Sequence, residues 1–169
     1  NEGFSSLRRD GQPVFNVAAS FEMESNAVET LVMRSAIRLL SEPDHPFPLY
    51  ERMLGGSISE LELRANERFS KAIESSREHV HAVELGPAMR EHVAELIEAA
   101  TPRDDDWVLI GGPPCQAYSL VGRSRRAHDP AFDDDHKHFV YREYLDILRL
   151  FRPAVFVMEN VKGLLSAGH

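Results

Sequence analysis

An α/β domain with a doubly wound, mostly parallel sheet is the fold class this sequence predicts, and three observations predict it. Residues 107–110 and 154–158 are short, wholly apolar runs, the pattern of strands covered on both faces. Between them, residues 139–151 carry apolar side chains at helical spacing, and Pro153 ends the run. Strand, helix and strand in that order form the repeating unit of a parallel α/β sheet. Ligands of such sheets bind beyond the carboxyl ends of the strands, so the residues following Ile110 and Met158 are the first to inspect.

The remaining elements follow from the N-terminus onward. Residues 1–12 read as the tail of a helix followed by a turn at Asp10-Gly11. Residues 13–20 (PVFNVAAS) are apolar and partly β-branched, which predicts a buried strand, with Glu22-Met23-Glu24 as the loop after it. Asn26 with Glu29 three residues on predicts a capped helix running through Leu40, with Val28, Leu31, Val32, Ile37 and Leu40 at mostly helical spacing. Pro43, Pro46, Pro48 and Gly55-Gly56 mark a loop holding only a short helix near residues 49–54. Ser57 or Ser59 caps a polar helix over about 58–80 whose weak apolar stripe predicts a solvated face. The stretch from about 34 to 80 therefore reads as a helical insertion on the surface. Gly86-Pro87 opens a further helix to about Ala100, because proline is tolerated in a first turn.

Composition bounds the possibilities. Hydrophobic residues at 43% and charged residues at 27% are those of a globular chain, and no apolar run approaches the ~20 residues that span a bilayer. No membrane partner is expected. The formal charge of −8 argues against binding nucleic acid by bulk charge alone. One cysteine cannot make an intrachain disulfide, and no secretory or transit signal opens the chain, so a reducing, cytoplasmic setting is expected.

The lone cysteine, Cys115, lies in GGPPCQAYS (111–119), directly after the strand at 107–110. An isolated cysteine usually packs in a core. Here two glycines permit a tight approach of the backbone and two prolines stiffen the loop, with Gln116 and Ser119 close behind. A rigid loop presenting one thiol at a strand end suits a nucleophile, because positioning removes entropic cost from the attack. Glu159 follows the other strand directly and should project at the same rim. Its bland reading is a capping or solvated carboxylate; its chemical reading is a proton donor.

GGPPCQAYS resembles the catalytic loop of the cytosine-C5 DNA methyltransferases, and Glu159-Asn160-Val161 resembles their ENV signature, in the family's order. The resemblance is clearest over 107–165 and weaker over 15–29. It implies the Rossmann-like sheet of S-adenosylmethionine-dependent methyltransferases, with Cys115 as nucleophile on carbon 6 of a flipped cytosine and Glu159 on the ring nitrogen N3 and exocyclic amine. It implies S-adenosyl-L-methionine as cofactor, held by Glu22 and Met23 after the strand at 13–20, by Glu84 (where the family more often has aspartate), and by Pro114 and Val140. Glu24 competes with Glu22 for the same role. Gln116, Ser119, Arg123 and Arg125 would contact double-stranded DNA, with Arg126 in the same basic cluster. No metal is implied, and Asp133-Asp134-Asp135 with His136 and His138 reads as solvated loop.

The glycine-rich FxGxGG segment, the Q-x-R-x-R motif and a target-recognition region of the family do not occur in these residues. The chain is therefore expected to be a catalytic domain incomplete at both ends, from a bacterial restriction–modification methylase with a cognate endonuclease as possible partner. As given it is expected to be inactive alone. Methylation of transfer RNA and a non-catalytic interaction fragment are the alternatives. A thiol hydrolase would need a histidine base, and none of the eight histidines stands in a recognisable context for one.

Overall fold

The computed structural model describes residues 2–41, 47–101, 106–112 and 140–159. The chain divides into two compact units, residues 1–84 and 85–169, each mixed α/β with a short parallel sheet.

The first unit begins with a one-turn helix α1 (Glu2–Ser5) and a hairpin of β1 (Arg8–Arg9) and β2 (Gln12–Pro13). Asp10 and Gly11 both take positive φ, 53° and 78°, the conformation a two-residue hairpin turn demands. The expected strand at 13–20 is displaced. Residues 15–19 make no ladder, and the strand is β3 (Ser20–Glu22), because that is where a parallel partner, β4 (Val80–Ala82), lies alongside. Glu22 thus ends the strand instead of standing in the loop beyond it.

Helix α2 (Ser25–Leu40) follows, with Val28, Val32 and Ala36 forming one buried stripe at i, i+4, i+8. Its end agrees with the sequence reading but its start does not. Glu24 is the N-cap, without a side-chain bond, and Asn26 lies inside the helix. The short helix α3 (Pro48–Leu54) stands where the prolines allowed one.

The single helix expected over 58–80 is instead α4 (Glu60–Ala65), α5 (Glu67–Arg77) and strand β4. Ser59 caps α4 in a reciprocal capping box with Glu62, and Asn66 breaks the run by capping α5 through its side chain, which accepts from the Phe69 amide. Nor is this stretch a solvated face. Leu63 and Phe69 are fully buried, Phe69 stacks on Phe47 at 6.1 Å, and both join Ala36 and Ala72 in the core under α2. The apolar stripe is sparse because one phenylalanine fills most of it.

In the second unit a 3-10 turn (Pro87–Met89) leads into α6 (Arg90–Ala100), which buries Val93 and Ile97. Strand β5 (Val108–Gly111), helix α7 (Val140–Phe151) and strand β6 (Val155–Met158) make the predicted strand–helix–strand unit, with β5 and β6 parallel and each starting one residue later than expected. Arg152 leaves α7 with φ 47° ahead of Pro153, which disfavours a further helical residue. Although β6 is wholly apolar, Val155, Phe156 and Val157 are exposed; among the described residues its partners are β5 and one face of α7. Among the described residues, no helix is long and apolar enough to cross a membrane.

Candidate catalytic and cofactor rims

The second unit brings two of its three chemically interesting segments to one rim. Gly111 pairs with Met158 in the parallel register, and the Glu159 amide donates to the Gly111 carbonyl at 2.9 Å, which carries the ladder one residue beyond β6. Glu159 is exposed, and its Oε2 lies 3.4 Å from the position a Cβ would take on Gly112. A Cβ at residue 112 would therefore stand in ordinary contact with the carboxylate. The third segment, with Pro114, Cys115, Gln116, Ser119, Arg123 and Arg125, lies outside the described residues, as do the acidic run at 133–135, His136 and His138.

Three side chains support this rim that the sequence reading did not single out. Tyr144, on α7, is 4% exposed, and its hydroxyl donates to the Val157 carbonyl at 3.0 Å, with a longer approach to Leu109 O at 3.4 Å. Its ring lies so close over Gly111 that a Cβ there would collide with it. Burial pushes the Tyr144 phenol above its usual range. Glu143, next to it and also buried, receives a two-pronged contact from Arg90 of α6, with Nη2 at 2.9 Å from Oε1 and Nε at 3.2 Å from Oε2. Arg90 also reaches Asp146 at 2.9 Å, one helical turn on. Hydrogen bonding to Glu143 holds the guanidinium even more firmly protonated than usual. No local sequence signal marks Arg90; the apposition of Gly111 and an aromatic residue on the crossover helix is visible only in three dimensions. Val140, expected near the cofactor, is the first residue of α7 and half-buried.

The first unit gathers two of the remaining predicted residues on its own rim. Glu22 ends β3 and pairs with Ala82 of β4, and the Val83 amide donates to the Glu22 carbonyl at 3.0 Å. Glu84 follows two residues past β4 and is exposed. Glu22 and Glu84 therefore leave neighbouring parallel strands at their carboxyl ends. Glu22 Oε1 accepts from the Glu24 amide at 2.9 Å, which directs the carboxylate back over the start of α2. Met23 is 58% exposed and Glu24, the competing acid, is exposed at the helix N-cap. The strand that leads to Glu84, β4, begins where the sequence reading ended its helix, at Val80, and no local pattern over these three residues marks it. Among the described residues, no group of three or more His, Cys, Asp or Glu side chains is placed to hold a metal ion.

Comparison with known proteins places a family match on the second unit. Residues 87–169 match the family model of the C-5 cytosine-specific DNA methylases. The Type II methyltransferase M.Bpa9945I of Bacillus paralicheniformis is 48% identical over 60 residues, 36% of this chain and 13% of that protein. The Type II methyltransferase M.FnuDI of Fusobacterium nucleatum is 32% identical over 113 residues, 67% of this chain and 30% of that protein. A eukaryotic relative, DNA (cytosine-5)-methyltransferase CMT1 of Oryza sativa subsp. japonica, is 41% identical over 59 residues, 35% of this chain and 5% of that protein. The chain spans less than a third of the length of each of these relatives. No solved structure matches it significantly. By the match over its second unit and by these relatives, the chain belongs to the cytosine-C5 DNA methyltransferase family.

Proposed function

We propose that this chain is the reaction-centre region of an enzyme that methylates carbon 5 of cytosine in double-stranded DNA, with S-adenosyl-L-methionine as methyl donor. The observation that carries the reading is Glu159, an exposed carboxylate fixed by its own amide beside Gly111–Gly112 at the carboxyl end of a parallel pair. Cys115 is three residues past Gly112, and three residues of chain reach at most about 11 Å. This short tether supports the reading that thiol and carboxylate serve one region.

Carbon 5 of cytosine is a weak nucleophile while the ring stays conjugated. Addition of the Cys115 thiolate to carbon 6 forms a carbon–sulfur bond and moves the electron pair toward carbon 5. Glu159 assists as a carboxylic acid, its O–H donating to N3 and its other oxygen accepting from the exocyclic amine, which draws electrons from carbon 6. After methylation, loss of the carbon-5 proton returns the electron pair and expels the thiolate. The base must leave the duplex stack to meet these groups, and Gln116, Ser119, Arg123 and Arg125 are assigned to the backbone around the flipped nucleotide.

The donor set of the other rim suits the cofactor. Ribose hydroxyls and an adenine amine are hydrogen-bond donors, and Glu22 and Glu84 are acceptors at adjacent strand ends, the position where nucleotides lie on such sheets. Met23 offers an exposed apolar surface beside them, and Pro114 and Val140 are assigned to the same ligand. When bound, the cofactor supplies an electrophilic methyl group on a sulfonium. A restriction–modification role in a bacterial cell, beside a cognate endonuclease, is the setting we assign, on the Type II naming of the relatives.

The test uses the full-length protein. Labelled methyl groups should pass from S-adenosylmethionine to duplex DNA, and a 5-fluorocytosine duplex should trap a covalent complex that Cys115→Ala abolishes. Full transfer by Cys115→Ala would overturn the assignment of the nucleophile, and trapping of transfer RNA in preference to DNA would overturn that of the substrate.

A further inference from the structure

We infer that Tyr144 is a positioning residue that sets the Glu159 carboxylate for the reaction proposed above, on which the inference rests. The Tyr144 hydroxyl lies within 3.4 Å of a carbonyl on each strand of the β5–β6 pair. Val157, which accepts its proton, is two residues before Glu159. Leu109, the longer contact, is two residues before Gly111. The hydroxyl thus ties β6 by a hydrogen bond and rests against β5, just below the ends of both strands. The next tie along the ladder is the Glu159 amide on Gly111 O. The ring completes the hold by lying directly on Gly111, which can be approached so closely only because it lacks a Cβ.

The tyrosine is itself anchored. Its neighbour Glu143 is held by the Arg90 fork and Asp146 by the same guanidinium, so α7 is clamped to α6 within half a turn of Tyr144. A buried, paired Glu143 makes sense as the fixed end of that clamp. The hydroxyl donates its one proton to the Val157 carbonyl and lies 3.4 Å from that of Leu109, below the rim, so Tyr144 acts through the strand end that carries Glu159.

The experiment is Tyr144→Phe in the full-length protein, which keeps the ring and removes only the hydroxyl. Two readouts are taken. Hydrogen exchange at the Glu159 amide should accelerate about two- to tenfold, the range one net hydrogen bond carries, while amides of α2 and α5 stay unchanged. In methyl transfer, kcat should fall by about tenfold, with KM for DNA and for S-adenosylmethionine within about twofold, because the bound ligands are held elsewhere. Arg90→Gln should shift both readouts in the same direction by less. Unchanged exchange at Glu159, or faster exchange with an unchanged kcat, overturns the inference. Absence of methyl transfer by the unaltered protein would instead overturn the function proposed above, and is distinguishable because the exchange measurement does not depend on turnover.

Discussion

Gly111→Ala separates a glycine needed for space from one needed for conformation. Among the described residues the glycines with positive φ are Gly11 and Gly56, and Gly111 is not one of them, so alanine is compatible with its backbone. At such a site the exchange would normally stabilise by about 0.4–1 kcal/mol, by narrowing the unfolded ensemble. The Tyr144 ring reverses the sign. A Cβ would meet its edge, with Cδ2 at 2.7 Å, inside any ordinary contact. Forcing a methyl group into a packed site costs about 1–3 kcal/mol, and displacing the ring weakens the bond to Val157 O, worth a further ~0.5–1.5 kcal/mol. Together these give a destabilisation of about 0.5–4 kcal/mol after the entropic gain. Urea denaturation would measure it in a double-mutant cycle with Tyr144→Leu, which takes the aromatic edge away. In that background Gly111→Ala should cost less than ~0.5 kcal/mol or stabilise. An equal cost in both backgrounds would refute the steric account, as would a stabilising Gly111→Ala in the unaltered sequence.

Other perturbations test other parts of the fold. Phe69→Ala removes a fully buried ring stacked on Phe47 and should cost about 3–5 kcal/mol by denaturation, a loss that a solvated helix face would not show. Arg152→Gly should raise stability by about 0.5–1 kcal/mol in the same assay, since the residue ends α7 at φ 47° with its amide bonded to Leu148 O, and glycine adopts that geometry without strain. Glu62 is held below the usual carboxylate range by the Ser59 amide and hydroxyl, so its contribution is present above pH 4.5 and lost as pH falls through the lowered pKa. A pH series of Tm values should show that acid-side slope shrinking in Ser59→Ala. Tyr144 has the opposite sign. Its phenol is raised by burial, so stability should fall as pH climbs above 10, and Tyr144→Phe should flatten that alkaline limb.

The βαβ unit of the second half was legible because its signals are local and agree with one another. Apolar runs of strand length, a helical stripe and Pro153 all point to the same boundaries. The first half misled because its deciding interactions are not local. Phe69 and Leu63 carry the packing of α4 and α5 almost alone, so a stripe read by counting apolar residues looked weak. Asn66 looked like one more polar residue in a long helix, yet its side chain caps a new one. Strand β4 is three residues long and exists because β3 lies beside it, a pairing no window over 80–82 reports. The same reasoning explains the site. Glu159 could be found from its place after an apolar strand, whereas Tyr144 could not, because its role is defined by carbonyls on two strands and by a missing Cβ on one of them.

Both parallel pairs use their carboxyl ends in one physical way. A strand end frees backbone groups that the next residues must satisfy, and a side chain emerging there is fixed by the ladder below it yet open to a ligand above. Glu22 and Glu159 each take that position, and each has its backbone tied to the neighbouring strand, through the Val83 amide in one case and its own amide in the other. The two then differ in what surrounds the carboxylate. Glu22 turns one oxygen back to the Glu24 amide, which restricts the carboxylate. Glu159 instead stands beside Gly112, its Oε2 3.4 Å from the position a Cβ would take there. An alanine at 112 would therefore meet that oxygen at ordinary contact distance, and a longer side chain would have to share the space with an exposed carboxylate that can turn away.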